Sequence, residues 1–258
     1  MPAEPDVSIA LLMSFLAVLI RVSGAIIFIP IPGIRSGPDI ARVVLALGLT
    51  VALYPAWPVQ TAQDLTLGHM LLLVLSETAF GVTAGLAAAF LLEGFMLSVQ
   101  ILGLQAGFSY SSTIDPSSQA DSTVLQVLIQ LVSALLFFTL GIHYHVIRAF
   151  STSLETLPPG AFRITGAHLD LIMKLGSGML ALGVRLALPV VALLLLLDLA
   201  MALMGRINSQ LQLLSLAFPA KMLAGLLLLA ALAPLLPRLF EASAARTIQA
   251  ISVLASGH

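Results

Sequence analysis

Five ionisable side chains, Arg21, Glu77, Glu93, Arg185 and Asp198, fall inside long apolar runs. An ionisable residue within a membrane segment is rare and faces either the interior of a helix bundle or an aqueous path. Two kinds of chemistry follow. The residues can relay a proton or an ion, or they can form ion pairs that fix helix register within an assembly. Glu77 and Glu93 stand sixteen positions apart, which is about 160° around one continuous helix. They make a carboxylate pair only if the chain folds back between them.

Other reactive residue types are thinly spread. His143 and His145, in GIHYHVIRAF, are two positions apart. Metal ligands on a helix need a spacing of three or four to share a face, so these point to different faces and read as helix-end histidines at an interface. With no Cys in the chain, disulfides, thiolate nucleophiles and Cys-based metal sites are excluded. Serines are abundant near residue 110, but no Gly-x-Ser-x-Gly elbow surrounds them and no Ser-Lys dyad is evident. Neither a phosphate loop nor an HExxH motif is present. The chain reads as a non-enzyme, with no cofactor and no metal.

The elements that carry these residues are apolar helices. Of 258 residues, 59% are hydrophobic and 9% charged, with a mean hydropathy of +1.09. A soluble domain carries about 25% charged residues, so this chain cannot offer water an ordinary exterior; it belongs in or against a membrane. Eleven cations balance twelve anions, which argues against a nucleic-acid footprint. The opening MPAEPDVSIALLMSF lacks the basic n-region of a cleaved signal peptide, so its apolar run is read as a retained helix.

Six apolar blocks are expected, at about Ile9–Ile29, Val43–Trp57, Met70–Leu104, Val124–Phe150, Leu169–Leu203 and Leu211–Leu236. The third exceeds a straight span of about 20 residues and is expected to bend, or to form a hairpin, near Gly81/Gly85 or Glu93-Gly94. Pro30-Ile31-Pro32-Gly33, Pro55 with Pro58, and Pro158-Pro159-Gly160 punctuate the blocks. The fold class is all-α, a multi-helix integral membrane protein, with residues 1–258 as one helical domain. Basic residues do not alternate consistently between the loops, as straight spans obeying the positive-inside rule require.

One interruption stands apart. Gln105 to Thr123, QAGFSYSSTIDPSSQADST, has no Lys or Arg and is rich in Ser and Thr. Loops of this length are uncommon inside compact domains and are usually functional or disordered. A polar loop between membrane helices must lie in water, in a protein-lined cavity or against a partner. Two GxxxG spacings, Gly81/Gly85 and Gly103/Gly107, allow helix backbones to approach closely, within the chain or between subunits.

Several stretches, taken in order, resemble the FliR family, the flagellar members of the SctT group of type III secretion export-gate proteins. They are RVSGAIIFIPIPG from Arg21, the Arg42-VVLALGLTVALYP run, Glu77-TAFGVTAGL, Glu93-GFMLSVQILGLQAGFSYSSTIDP, His143-YHVIRAFSTSLETLPPG and FPAKMLAGLLLL from Phe218. The resemblance covers about residues 10 to 240. The chain departs from the family's pattern at Ser209 and Gln212, where members carry Pro and Asn, and at Ile142, whose Gly stands one position earlier.

The resemblance implies a protein-conducting export gate in the bacterial inner membrane, at the flagellar basal body. Implied partners are the P and Q gate subunits (FliP, FliQ), the B subunit (FlhB), the A subunit (FlhA) and unfolded flagellar proteins in transit. It also implies that the loop at Gln105–Thr123 protrudes into the pore. Gly107, Phe108, Ser109, Tyr110, Ile114, Asp115 and Pro116 would then form a movable plug, with Phe108, Tyr110 and Ile114 as its apolar seal. Apolar constrictions dewet without binding passing chains strongly. Other readings of the same chain are a secondary transporter or intramembrane enzyme using Glu77, Glu93 and Arg21, and a homologue from a non-flagellar injectisome.

Overall fold

A computed structural model describes residues 4–28, 39–58, 66–108, 124–207 and 213–256. Every regular element among them is helical. In chain order they are α1 (Glu4–Ile26), α2 (Asp39–Ala52), a 3-10 turn (Tyr54–Ala56), α3 (Leu67–Ala106), α4 (Val124–Thr139), α5 (Ile142–Thr156), α6 (Gly166–Ile207), α7 (Leu213–Leu232), a second 3-10 turn (Ala233–Leu235) and α8 (Leu236–Ser256). Four segments are long and apolar enough to cross a membrane: Ile9–Ile26, Leu67–Ala106, Gly166–Arg206 and Ala217–Ala255.

The third apolar block neither bends back nor forms a hairpin. α3 is one helix of 40 residues. Its glycines, which suggested a break, are packing positions. A Cβ on Gly85 would lie 2.6 Å from the Ala25 carbonyl oxygen, and one on Gly81 would overlap the Arg21 carbonyl oxygen. Glycine costs a helix about 1 kcal/mol relative to Ala, and here the missing side chains let the α1 and α3 backbones touch. No proline falls between Leu67 and Ala106, so the hydrogen-bond ladder has no obligatory gap.

The fourth block, by contrast, is broken. Gly141 takes φ +68°, donates to the Phe138 carbonyl at 3.1 Å and accepts from Tyr144 at 3.0 Å, closing α4 and opening α5. The last block is longer than its apolar run suggests, because α8 continues it. α8 buries Phe240, Ala244, Thr247, Ile251 and Leu254, spaced as one helical face, while Arg238, Glu241 and Arg246 remain exposed. Pro189 and Pro219 sit inside α6 and α7 without ending them.

Two compact units are evident. The first comprises residues 1–91, 137–176 and 243–258, and the second residues 92–136 and 177–242. In the first, α1 packs on α2, Phe15 lies 5.5 Å from Trp57, and the Trp57 indole donates to the Thr50 carbonyl at 2.9 Å. In the second, Leu102, Ala106, Ala187, Val190 and Leu194 form a buried core, and Phe95 meets Phe240 at 5.1 Å.

Candidate functional site

The first unit places Arg21 of α1 against Glu77 of α3, both fully buried. Arg21 Nε donates to Glu77 Oε2 at 2.5 Å and Nη2 to Oε1 at 3.1 Å, the parallel fork that a guanidinium and a carboxylate form best. Nη1 reaches the backbone carbonyl of Ser153 at 2.8 Å and its hydroxyl at 3.1 Å, while Nη2 also reaches the Leu157 carbonyl at 3.2 Å. These five hydrogen bonds match the five N–H donors a guanidinium possesses. Its carbon lies 4.9 Å from the centroid of the Phe80 ring, within cation–π range.

The Leu157-Pro158-Pro159-Gly160 stretch completes the cage. Ala161 donates to the Pro158 carbonyl at 3.0 Å, and Gly160 takes φ +82°. With Pro first and Gly second at the centre, this is a type II turn. It points the Gly160 N–H at Glu77 Oε1, 3.0 Å away. The turn's exit is held by Ser76, whose hydroxyl donates to the Phe162 carbonyl at 2.9 Å, and by Phe162 edge-on to Phe80 at 5.3 Å. All five donors of Arg21 and both carboxylate oxygens of Glu77 are therefore engaged, across four segments of the chain. A relay needs a group free to exchange its partner. This pair has none, and it reads as the lock of the first unit.

The second unit carries the root of the polar loop. α3 ends in a Schellman motif: Gly107, at φ +84°, donates to the Leu104 carbonyl at 3.3 Å, and Phe108 donates to the Gly103 carbonyl at 2.9 Å. Gly107 is the left-handed residue of this termination, and Gly103 contributes its carbonyl. Phe108 packs against the Leu102–Leu194 core, and a Cβ on Gly107 would stand 3.0 Å from Phe218. Ser109, Tyr110, Ile114, Asp115 and Pro116, expected as plug residues, lie outside the described residues, as do Ser209 and Gln212.

Beside this root, Asp198 of α6 forms an ion pair with Lys221 of α7 and accepts a hydrogen bond from the Gln105 amide at 3.2 Å. The pair is half-buried, 36% exposed at Asp198 and 17% at Lys221. Glu93 is half-buried, on the same continuous helix as Glu77 and so not folded back beside it. Arg185, expected inside, is exposed on α6, because an apolar block is not covered by its own chain on every side. Of the histidines, His143 packs 4.0 Å from Tyr144 and 5.2 Å from Phe138, while His145 is exposed.

Sequence reasoning missed Lys221, Gln105, Ser153 and Gly160. Lys221 had a signal, being a lone cation within the FPAKMLAGLLLL run. Gly160 acts through its backbone N–H, and Ser153 through its carbonyl as well as its hydroxyl; backbone groups leave no trace in residue type beyond the Pro-Pro-Gly turn.

Comparison with known proteins is consistent across the chain. The family model for bacterial export proteins, family 1, matches residues 12–247. The chain is 31% identical to the flagellar biosynthetic protein FliR of Escherichia coli K12 over 218 residues, covering 84% of this chain and 83% of that one. It is 26% identical to the FliR of Bacillus subtilis, covering 86% of each, and 24% identical to that of Aquifex aeolicus, covering 88% and 86%. The chain belongs to the bacterial export proteins of family 1, the family of the FliR flagellar biosynthetic proteins.

Proposed function

We propose that this chain is a non-catalytic subunit of the flagellar export gate in the bacterial inner membrane, at the basal body. It lines part of a protein-conducting channel, and its polar loop helps to close the pore. The partners it would meet are the P and Q gate subunits, FliP and FliQ, together with FlhB and FlhA, and its cargo is unfolded flagellar protein.

The observation that carries the reading is the construction of the loop's root. A 40-residue apolar helix ends in a left-handed glycine, followed by one anchored aromatic, Phe108. Polar chain, Ser109 to Thr123, follows directly. A left-handed glycine next to a packed anchor gives the polar segment that follows a fixed base. Helix length supports an assembly-embedded subunit as well. α3 and α6, of 40 and 42 residues, are about 60 Å long at 1.5 Å per residue, roughly twice the ~30 Å hydrocarbon core of a bilayer. Apolar surface beyond that thickness needs protein to cover it.

The transporter and intramembrane-enzyme reading loses its main candidates, because Arg21 and Glu77 are fully engaged with each other and with backbone groups. The test is deletion of Phe108 to Asp115 in the assembled gate. Assembly should persist while the membrane becomes leaky to ions and small solutes. Normal assembly with unchanged permeability would remove the plug from the proposal.

A further inference from the structure

α6 carries its own membrane ruler. Between Arg185 and Arg206 the only Asp, Glu, Lys or Arg is Asp198, and both arginines are exposed. Twenty-one residues of helix rise about 32 Å, against a hydrocarbon core of about 30 Å. Arginine stems cross apolar surface while their heads seek the interface, so Arg185 and Arg206 mark the two rims of a bilayer-crossing segment. The one charge between them, Asp198, is neutralised by Lys221 of α7.

That ion pair transfers the ruler to α7. Lys221 lies at the depth of Asp198, and α7 runs back along α6 after a short connection, with Ala224, Leu228 and Leu232 packed on the Ala187, Val190 and Leu194 core. Thirteen residues separate Asp198 from Arg185, and the same climb from Lys221 ends near Pro234. Arg238 lies about one helical turn further on, at headgroup level. It is exposed and has no ion pair among the described residues. Within the same unit is a cavity of about 380 Å³. Its walls include Val99, Leu128, Ile129, Leu226, Ala230 and Pro237, the last being the neighbour of Arg238.

We propose that the second unit holds an anionic phospholipid, with an acyl chain in this cavity and the phosphate on Arg238. The volume falls within the ~300–1,000 Å³ of ligand pockets. No lining side chain is polar, so water has none of the partners it needs to stay there. An apolar slot walled in part by Pro237, next in sequence to the exposed cation Arg238, suits a charged amphiphile. The site does not depend on what the polar loop does.

The test uses the full chain in nanodiscs of equal phosphatidylglycerol and phosphatidylcholine, with the lipids that survive detergent extraction read by native mass spectrometry. Phosphatidylglycerol should be retained in preference. R238Q should reduce that preference about fivefold, the effect of one interfacial cation on an anionic headgroup, and R238K should retain most of it. A230F, at an exposed position on the cavity wall, should lose bound lipid of either headgroup with helicity unchanged. Inorganic phosphate should not compete. Equal retention of both lipids by the wild type, displacement by inorganic phosphate, or an R238Q protein that keeps its preference overturns the proposal. So does a photoreactive group at Leu226 that labels a co-purifying protein rather than lipid.

Discussion

Glu77 Oε1 accepts two hydrogen bonds at once, from Arg21 Nη2 at 3.1 Å and from the backbone N–H of Gly160 at 3.0 Å. One carboxylate thereby ties α1, α3 and the turn after α5 together. Because the pair is fully buried, its worth appears when one partner is removed. Glu77→Ala leaves a guanidinium uncompensated in the core and should cost about 3–5 kcal/mol. The measurement is thermal unfolding of the purified chain, followed by helicity. Replacing both partners with leucine should recover much of that loss, since an apolar pair of similar volume needs no desolvation. A double variant no more stable than Glu77→Ala would show that the bonds to Ser153 and Leu157, not the ion pair, hold the unit.

The turn offers a second test. Gly160→Ala forces an L-residue to φ +82°, and a β-carbon resists that backbone conformation by about 1–2 kcal/mol. Space is not the obstacle, since the nearest atom to such a Cβ is 3.8 Å away. The destabilisation should therefore be modest in unfolding experiments and should shrink with Gly160→Asn, which tolerates the left-handed region better.

Glycines on the helices should separate by site. Gly81→Ala and Gly85→Ala drive a methyl into the α1 backbone. Neither backbone can move aside as a flexible side-chain tip does, so both should lower the yield of folded protein sharply. Gly48→Ala in α2 meets nothing within 4 Å and should stabilise by up to about 1 kcal/mol through helix propensity. Equal tolerance at all three positions would contradict the close α1–α3 crossing.

How far the fold and the site are legible in the sequence follows from these residues. Arg21 and Glu77 stand out as charges in oil, and the Pro-Pro-Gly turn as a break. Their meeting does not stand out, because partners 56 positions apart share no local pattern. Gly81 and Gly85 carry two readings, a break and a close helix approach, since a glycine that weakens a helix and one that admits a neighbouring backbone have the same composition. α8 is legible in retrospect from Phe240, Ala244, Thr247, Ile251 and Leu254, a helical period diluted by charge below the apolar threshold that revealed the other blocks. Arg185 shows the opposite limit: hydropathy reports that a segment avoids water, but not which side its own chain covers.

The ion pair beside the loop root gives the last prediction. Lys221→Ala leaves Asp198 unpaired within the uncharged stretch between Arg185 and Arg206. A lone acidic group deep in a membrane helix costs about 2.5–3.5 kcal/mol on insertion scales, so the variant should insert poorly or unfold at lower temperature. Asp198→Ala with Lys221→Ala removes both charges and should recover insertion. The double variant separates two roles. The Asp198 carboxylate also holds the Gln105 amide, two residues before the left-handed Gly107. If the pair only neutralises charge, the double variant should insert and support export as the wild type does. If it also fixes the base of the loop, the double variant should insert normally yet leak ions when assembled, and conductance across proteoliposomes of the assembled gate distinguishes these outcomes.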